Sequence, residues 1–229
     1  MFTQNLPESE LRMRVRLIGE DIPSLVRVGN VVFEEAVDDT GKSLVDPATT
    51  TEERRTVTRR VFTPPEAIAR SGWPLATALK ASDRGAKTLK TLKGSVRVLF
   101  AKDSEDVIVI NPLQFSGGII AHPRLKELGI EVKLLPPGTP PEVVSHERAL
   151  AIQVTAGDEK LRKVEFCDAW LRPVRTRPPA DRRLEDGSMC MVYDTLGVPF
   201  DETTQMIIEV LPNVRDERVE FSFTDVKLP

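Results

Sequence analysis

Residues 11–17 alternate strictly between apolar and basic side chains, Leu-Arg-Met-Arg-Val-Arg-Leu. Successive side chains of a strand point to opposite faces, so Leu11, Met13, Val15 and Leu17 share one face and Arg12, Arg14 and Arg16 the other. This predicts a strand with one wet face, the usual condition in antiparallel sheets. The pattern returns near the other end, where Val219, Phe221 and Phe223 alternate with Glu220, Ser222 and Thr224. Further strands are expected at 30–37, 54–62, 95–101, 107–111, 130–135, 150–155, 163–169, 189–193 and 205–211, separated by turn chemistry such as Asp38-Asp39-Thr40-Gly41. Strands in this number, without strand–helix alternation, predict an antiparallel β-sandwich and argue against a doubly wound α/β fold.

A helical period shows in one stretch, 66–93. There Leu75, Ala78, Leu79, Ser82, Ala86, Leu89 and Leu92 keep a rough 3.6-residue spacing that Gly85 weakens. It predicts one or two short helices or an ordered loop. A short helical turn is expected at 123–128, capped by Gly129. The inward-facing set should include Met13, Val15, Val96, Val98, Ile208, Phe221 and Phe223, with Trp73 and Trp170 also in the core.

A chain of 229 residues holds one large β domain or two small ones. Residues 1–10 read as a flexible tail. Pro136-Pro137-Gly138-Thr139-Pro140-Pro141 is a stiff connector, which divides the chain into modules 11–135 and 142–229. The alternative is a single large sandwich over 11–229.

Composition narrows the class. Hydrophobic residues are 40% of the chain and charged residues 29%, as in soluble globular proteins. The net charge of −3 gives no overall basic field for nucleic acid. No apolar run reaches the roughly 18 residues of a membrane-spanning helix. The first ten residues lack the basic and apolar regions of a signal peptide. A cytoplasmic protein and an exported one read without its leader both fit.

Candidate chemistry is sparse, and the sequence offers no catalytic assignment. Glu34, Asp38, Asp39 and Asp46 cluster around one turn and supply oxygen ligands suited to calcium, the one metal or cofactor the sequence suggests. The competing reading is a polar hairpin turn. Gly41-Lys42-Ser43 has the ending of a phosphate-binding loop, but Ala36 stands where its first glycine belongs and Pro47 interrupts the helix that should follow. His122 and His146 are the only histidines, and their spacing fits no zinc motif. Cys167 and Cys190 are the only cysteines. They are candidates for one disulfide between neighbouring strands, or for two buried thiols. Arginines gather at 54, 55, 59 and 60 and again at 172, 175, 177, 182 and 183, but acids sit among them and stacking aromatics are few. Solvated faces are the better account.

The runs Ala86-Lys87-Thr88-Leu89-Lys90-Thr91-Leu92-Lys93-Gly94-Ser95-Val96-Arg97-Val98 and Val219-Glu220-Phe221-Ser222-Phe223-Thr224-Asp225-Val226-Lys227-Leu228-Pro229 resemble recurring phrases in uncharacterised β-sandwich proteins of planctomycete-type bacteria. The resemblance implies an immunoglobulin-like sandwich and carries no catalytic residues. The function expected is a non-enzymatic binding or structural module, with a protein partner or a second copy rather than a small molecule. The alternative is a hydrolase using paired carboxylates in a cleft, with or without calcium. A deep pocket lined by Glu34, Asp38 or Asp194 would favour the hydrolase.

Overall fold

The computed structural model describes residues 10–47, 50, 58–61, 64–136, 139, 149–177, 180–196 and 199–228. Thirteen strands, numbered in chain order, and two short helices lie among them, and every strand pair is antiparallel. The chain forms two compact units: unit 1 is Met1–Lys102 with Arg215–Pro229, and unit 2 is Asp103–Val214. The expected division at 136–141 is therefore corrected. Pro136 and Thr139 belong to unit 2, and the rest of that proline-rich segment lies outside the described residues. The physical reason is strand pairing. The last strand returns to the first unit, so unit 2 is an insertion in it.

Unit 1 contains β1 (Glu10–Leu17), β2 (Leu25–Asp38), β3 (Thr58–Arg60), α1 (Pro65–Ser71), β4 (Trp73–Lys80), β5 (Thr88–Phe100) and β13 (Arg215–Lys227). One sheet runs β13-β5-β2-β3 and the other is the pair β1-β4. The alternation in β1 is realised: Leu11, Met13, Val15 and Leu17 pack against the core while the arginines are exposed. The core itself is Phe33, Leu44, Ile68, Leu89, Leu92, Val96 and Val98 with their neighbours.

The helical reading of 66–93 holds only for α1. Leu75 and Leu79 are the buried positions of β4, and Leu89 and Leu92 are buried in β5. Proline at the start of α1 and Gly72 after it, with φ of 67°, confine the helix to two turns. Trp73 then packs partly buried against the core.

In β13 the alternation holds as far as Phe221, which is partly buried, and then fails. Phe223 is 46% exposed. Asp225 has φ of 53°, and beyond it Val226 faces the core in place of the odd-numbered residues. Phe221 has a specific seat. It lies opposite Gly94, and a Cβ on that glycine would stand 2.7 Å from the Phe221 ring and 2.5 Å from the Val32 carbonyl oxygen. The ring of Phe221 also meets Phe33 edge-on at 6.1 Å.

Unit 2 contains β6 (Glu105–Ile110), α2 (Pro123–Glu127), β7 (Glu131–Leu134), β8 (Leu150–Ala156), β9 (Leu161–Cys167), β10 (Ala180–Arg183), β11 (Met189–Tyr193) and β12 (Gln205–Val210). Its sheets run β6-β12-β9 and β10-β11-β8-β7. Val109, Phe166 and Ile208 of the first face Val132, Ile152, Met191 and Tyr193 of the second in one shared core. The contact is direct where the Phe166 and Tyr193 rings meet at 5.0 Å. The expected turn at 123–128 is α2, and Gly129 follows it with φ of 69°.

The strands β4 and β10 are the ones the hydrophobic pattern missed. Proline, alanine and threonine dilute the first, and Asp181, Arg182 and Arg183 make the second polar. Gly94→Ala is expected to destabilise unit 1 by about 1–3 kcal/mol through overpacking, read as a fall in the urea midpoint.

Candidate functional site

The acidic turn is a self-contained lock. Asp38 Oδ1 accepts hydrogen bonds from the Thr40 amide at 3.0 Å, the Thr40 hydroxyl at 2.6 Å and the Lys42 amide at 2.9 Å. Its Oδ2 accepts from the Asp83 amide at 3.1 Å. The Thr40 hydroxyl most of all, and the three amides with it, hold the carboxyl at about 2 against the opposing effect of burial. Both Asp39 oxygens accept from the Lys87 amide, Asp46 lies 3.8 Å from the Lys80 ammonium, and Glu34 is exposed on its strand. Asp38, Asp39 and Asp46 turn to backbone and lysine partners, and the four carboxylates do not converge. Among the described residues no group of three or more His, Cys, Asp or Glu side chains gathers as a metal site. The calcium expectation is corrected accordingly. The turn needs the oxygens for its own amides.

The same device recurs. Asp186 accepts from the Ser188 hydroxyl and amide, and Asp201 from the Thr203 hydroxyl and amide. In both, the hydroxyl and then the amide draw the carboxyl below its usual range. His122 acts likewise at a helix start, its Nδ1 accepting from the Arg124 amide at 3.2 Å. His146, Arg54 and Arg55 lie outside the described residues.

The cysteines are free thiols, so the disulfide candidate is also corrected. Cys167 ends β9 next to Phe166, which points into the core, so its own side chain turns to the other face. Cys190 joins Ala149, Ala151 and Val192 on the side of β11 opposite Met191 and Tyr193. The two sulfurs therefore lie on the outer faces of two different sheets, with the core between them. Burial, with Glu165 and Asp168 nearby, pushes the Cys167 thiol up.

An open cleft of about 360 Å³ in unit 1 is lined by Ile22, Val98, Phe100 and Val219 together with Glu20 and Asp21. Asp21 is held low by its hydrogen bond from Arg215, whose guanidinium also lies 5.0 Å from the Phe100 ring. Glu34, Asp38 and Asp194 do not line this cleft. The carboxylates that do line it are Glu20 and Asp21, and Asp21 is tied to Arg215.

The feature that folding alone does not account for is the turn after β9. Trp170, expected in the core, is 77% exposed, and Leu171 beside it is 57% exposed. Leu171 has φ of 59°, a left-handed conformation that costs a side chain with a Cβ about 1–2 kcal/mol. Asp168 holds it there. Its Oδ1 accepts from the Trp170 amide at 2.9 Å and the Arg172 amide at 3.0 Å, and its Oδ2 accepts from Arg172 Nε at 2.7 Å. The Leu171 amide donates to the Asp168 carbonyl and the Asp168 amide to the Arg172 carbonyl, closing the loop. Partial burial raises the Asp168 carboxyl, but the Arg172 and Trp170 donors outweigh it and leave it below the usual range.

The arginines of this region are mostly engaged locally. Arg172 pairs with Asp168, Arg177 approaches Asp194 at 3.5 Å, and Arg183 approaches Asp158 at 3.4 Å. The sequence signal for the turn was Asp168 followed by Arg172-Pro173, a chain reversal that places Trp170 at its tip. An apolar tryptophan next to Leu171 reads as core when the turn is not recognised.

No protein-family model, curated protein or solved structure matches the chain. The site is therefore read from its geometry alone.

Two outcomes follow for the locks and the thiols. Asp38 has a folded pKa of about 2 against an ordinary 3.8. The unfolded chain takes up its proton first as pH falls, so the stability this carboxylate supplies is present above pH 4 and is lost toward pH 2. Asp38→Asn should lower the melting temperature at pH 7 and flatten its fall over that range in a pH series of thermal melts. A reducing agent should leave the melting temperature unchanged, because no disulfide joins Cys167 and Cys190.

Proposed function

We propose that this protein is a non-enzymatic binding module, working in protein–protein or cell-surface association, whose contact element in unit 2 is the Trp170–Leu171 turn. The observation that carries the reading is an exposed tryptophan and leucine held in a strained conformation by five hydrogen bonds with the carboxylate and backbone of one residue, Asp168. Solubility and folding both favour the opposite, a polar residue at Trp170 and glycine at Leu171. A preorganised aromatic anchor, however, binds a partner without first losing conformational freedom. Burial of Leu171 alone on a partner contributes about 1.5–3 kcal/mol, and tryptophan buries more area still.

Unit 2 is immunoglobulin-like in this proposal in its four-plus-three strand count and its two facing sheets. Its order is its own, because β6, the first strand, pairs with β12, the last. Among the described residues no three or more acidic, histidine or cysteine side chains gather as a metal site. Among those residues no helix is long and apolar enough to cross a membrane.

The test is a photocrosslinking phenylalanine analogue placed at Trp170 in producing cells, with the same analogue at exposed Lys126 as control. A discrete adduct specific to position 170, lost on Leu171→Gly, is expected. Adducts indistinguishable from those at Lys126, or none, would sink the proposal. Leu171→Gly should also raise the stability of the purified protein by up to about 1 kcal/mol by relieving the left-handed strain, measured by urea unfolding. Trp170→Ala should leave stability within about 0.5 kcal/mol of the parent, as for an exposed side chain outside the core.

A further inference from the structure

The wet face of β1 carries Arg12, Arg14 and Arg16 in one row, each about 6.6–6.8 Å from the next along the strand. A row of like charge calls for counter-charge, and β4, the strand paired with β1, supplies none along it. Glu10 at the head of the row lies opposite Lys80, but the three arginines lie opposite Ala78, Ala76 and Pro74. Among the described residues no carboxylate meets any of their guanidinium groups. Elsewhere on the sheets such bases are matched across a ladder. Lys93 of β5 pairs with Glu35 of β2, Arg97 of β5 with Asp216 of β13, and Arg162 of β9 with Glu209 of β12. For β1 the position left to supply acids is its other edge, which is open among the described residues.

The backbone of that edge is turned outward at the same three residues. The Lys80 amide donates to the Leu44 carbonyl, away from β1, so Glu10 and Lys80 form a non-hydrogen-bonded pair. The register runs without a shift from Glu10 to Leu17, so the N–H and C=O groups of Arg12, Arg14 and Arg16 also point away from β4. Pro74, with no N–H to give, accordingly sits opposite Arg16. On the inner face Leu11, Met13, Val15 and Leu17 are only partly buried against the core. A strand added here would therefore find apolar surface on one face and bare guanidinium groups on the other.

We infer that the open edge of β1 receives an extended segment of a partner protein in which carboxylate and apolar side chains alternate. One such strand meets all three features. Its backbone pairs with the outward N–H and C=O groups, which is how strand addition gains affinity. Its carboxylates repeat at the pitch of the arginines, and opposite Cβ atoms in an antiparallel pair stand about 4.5–5.5 Å apart, within reach of paired arginine–carboxylate hydrogen bonds. Its apolar residues extend the half-covered row of Leu11, Met13, Val15 and Leu17. The β1 strand of a second copy is the wrong occupant, because its arginines would stand beside these ones. A flexible polyanion would meet the guanidinium groups and leave the backbone edge and the apolar row unused. Edge charges also guard against aggregation. A row of one sign guards against every strand except one bearing the opposite sign at the same spacing. This surface lies in unit 1 and its case does not depend on the Trp170–Leu171 turn.

The probe is a fluorescein-labelled peptide of alternating valine and glutamate with three glutamates, titrated with the full chain to about 200 μM and followed by fluorescence anisotropy. Saturable binding is expected, with slowed hydrogen exchange of the 11–17 amides in the complex. Arg14→Glu should weaken binding by about tenfold or more while leaving the circular dichroism and melting temperature unchanged. Replacing the middle glutamate of the peptide by lysine should restore binding to that variant. If Arg14→Glu fails to fold, Arg14→Gln takes its place and should weaken binding severalfold. Arg84→Glu, at an exposed arginine off the row, and Trp170→Ala should bind as the parent does. A peptide of the same composition with its glutamates contiguous should bind far more weakly. A parent chain that does not bind, or an Arg14 variant that binds as the parent does, overturns the inference. Equal binding of the contiguous peptide, or binding without slowed exchange at 11–17, also overturns it and leaves a general polyanion face. Loss of binding in Trp170→Ala overturns it as well, by moving the peptide to the turn.

Discussion

Strand β5 carries hydrogen-bonded ladders on both edges, with β2 on one side and β13 on the other. That double pairing is the constraint on which unit 1 depends. It brings a segment beginning at Arg215 back to a strand that ends at Phe100, and so obliges the intervening residues to fold as an insertion. Gly94 sits at the tightest point, between the Val32 carbonyl and the Phe221 ring. With any larger residue there, one of the two ladders must move. Bulky Phe221 over a bare glycine fills on one strand the space the other leaves empty, and it ties β13 to Phe33 in the core as well.

A second theme runs through the loops. Asp38, Asp168, Asp186 and Asp201 each accept bonds from amides or hydroxyls two to four residues ahead. Short acidic side chains are suited to this, because they reach their own downstream amides without help from the core. Many of the acids that invite a catalytic or metal reading are thereby given structural work. The Asp168 lock stands apart only in what it holds up: the others secure polar turns, and this one presents tryptophan and leucine to solvent.

Much of the fold was legible in the alternation of polar and apolar residues. The strands at 11–17, 107–111 and 205–211 could be read because one face of each is buried and the other more open, as in β1 and β6, whereas 189–193, buried on both faces, was legible as a short apolar run. The stretch 75–92 could not be. A strand, a loop and the start of another strand happened to space their leucines at helical intervals, and local sequence does not say which buried face they serve. Phe223 keeps the face of Phe221, whose ring is 5.8 Å away, but it is 46% exposed and does not pack on the core, and alternation does not tell how far along a strand the core extends. Trp170 reads as core in the sequence because composition does not show that a turn leaves it exposed.

What the sequence determined by itself is the class of structure: antiparallel strands, the turns between them, and the lack of a recognisable catalytic motif. These depend on contacts among near neighbours in the chain. Tertiary structure alone decided that the units divide at 102 and 214 and that Cys167 and Cys190 occupy opposite outer faces. It also decided that the acids of the 38–46 region spend their oxygens on amides and a lysine, and that β6 is an edge. Each of these turns on which strand lies beside which. That is settled by pairing between residues as far apart as Phe100 and Arg215, and no local pattern encodes it.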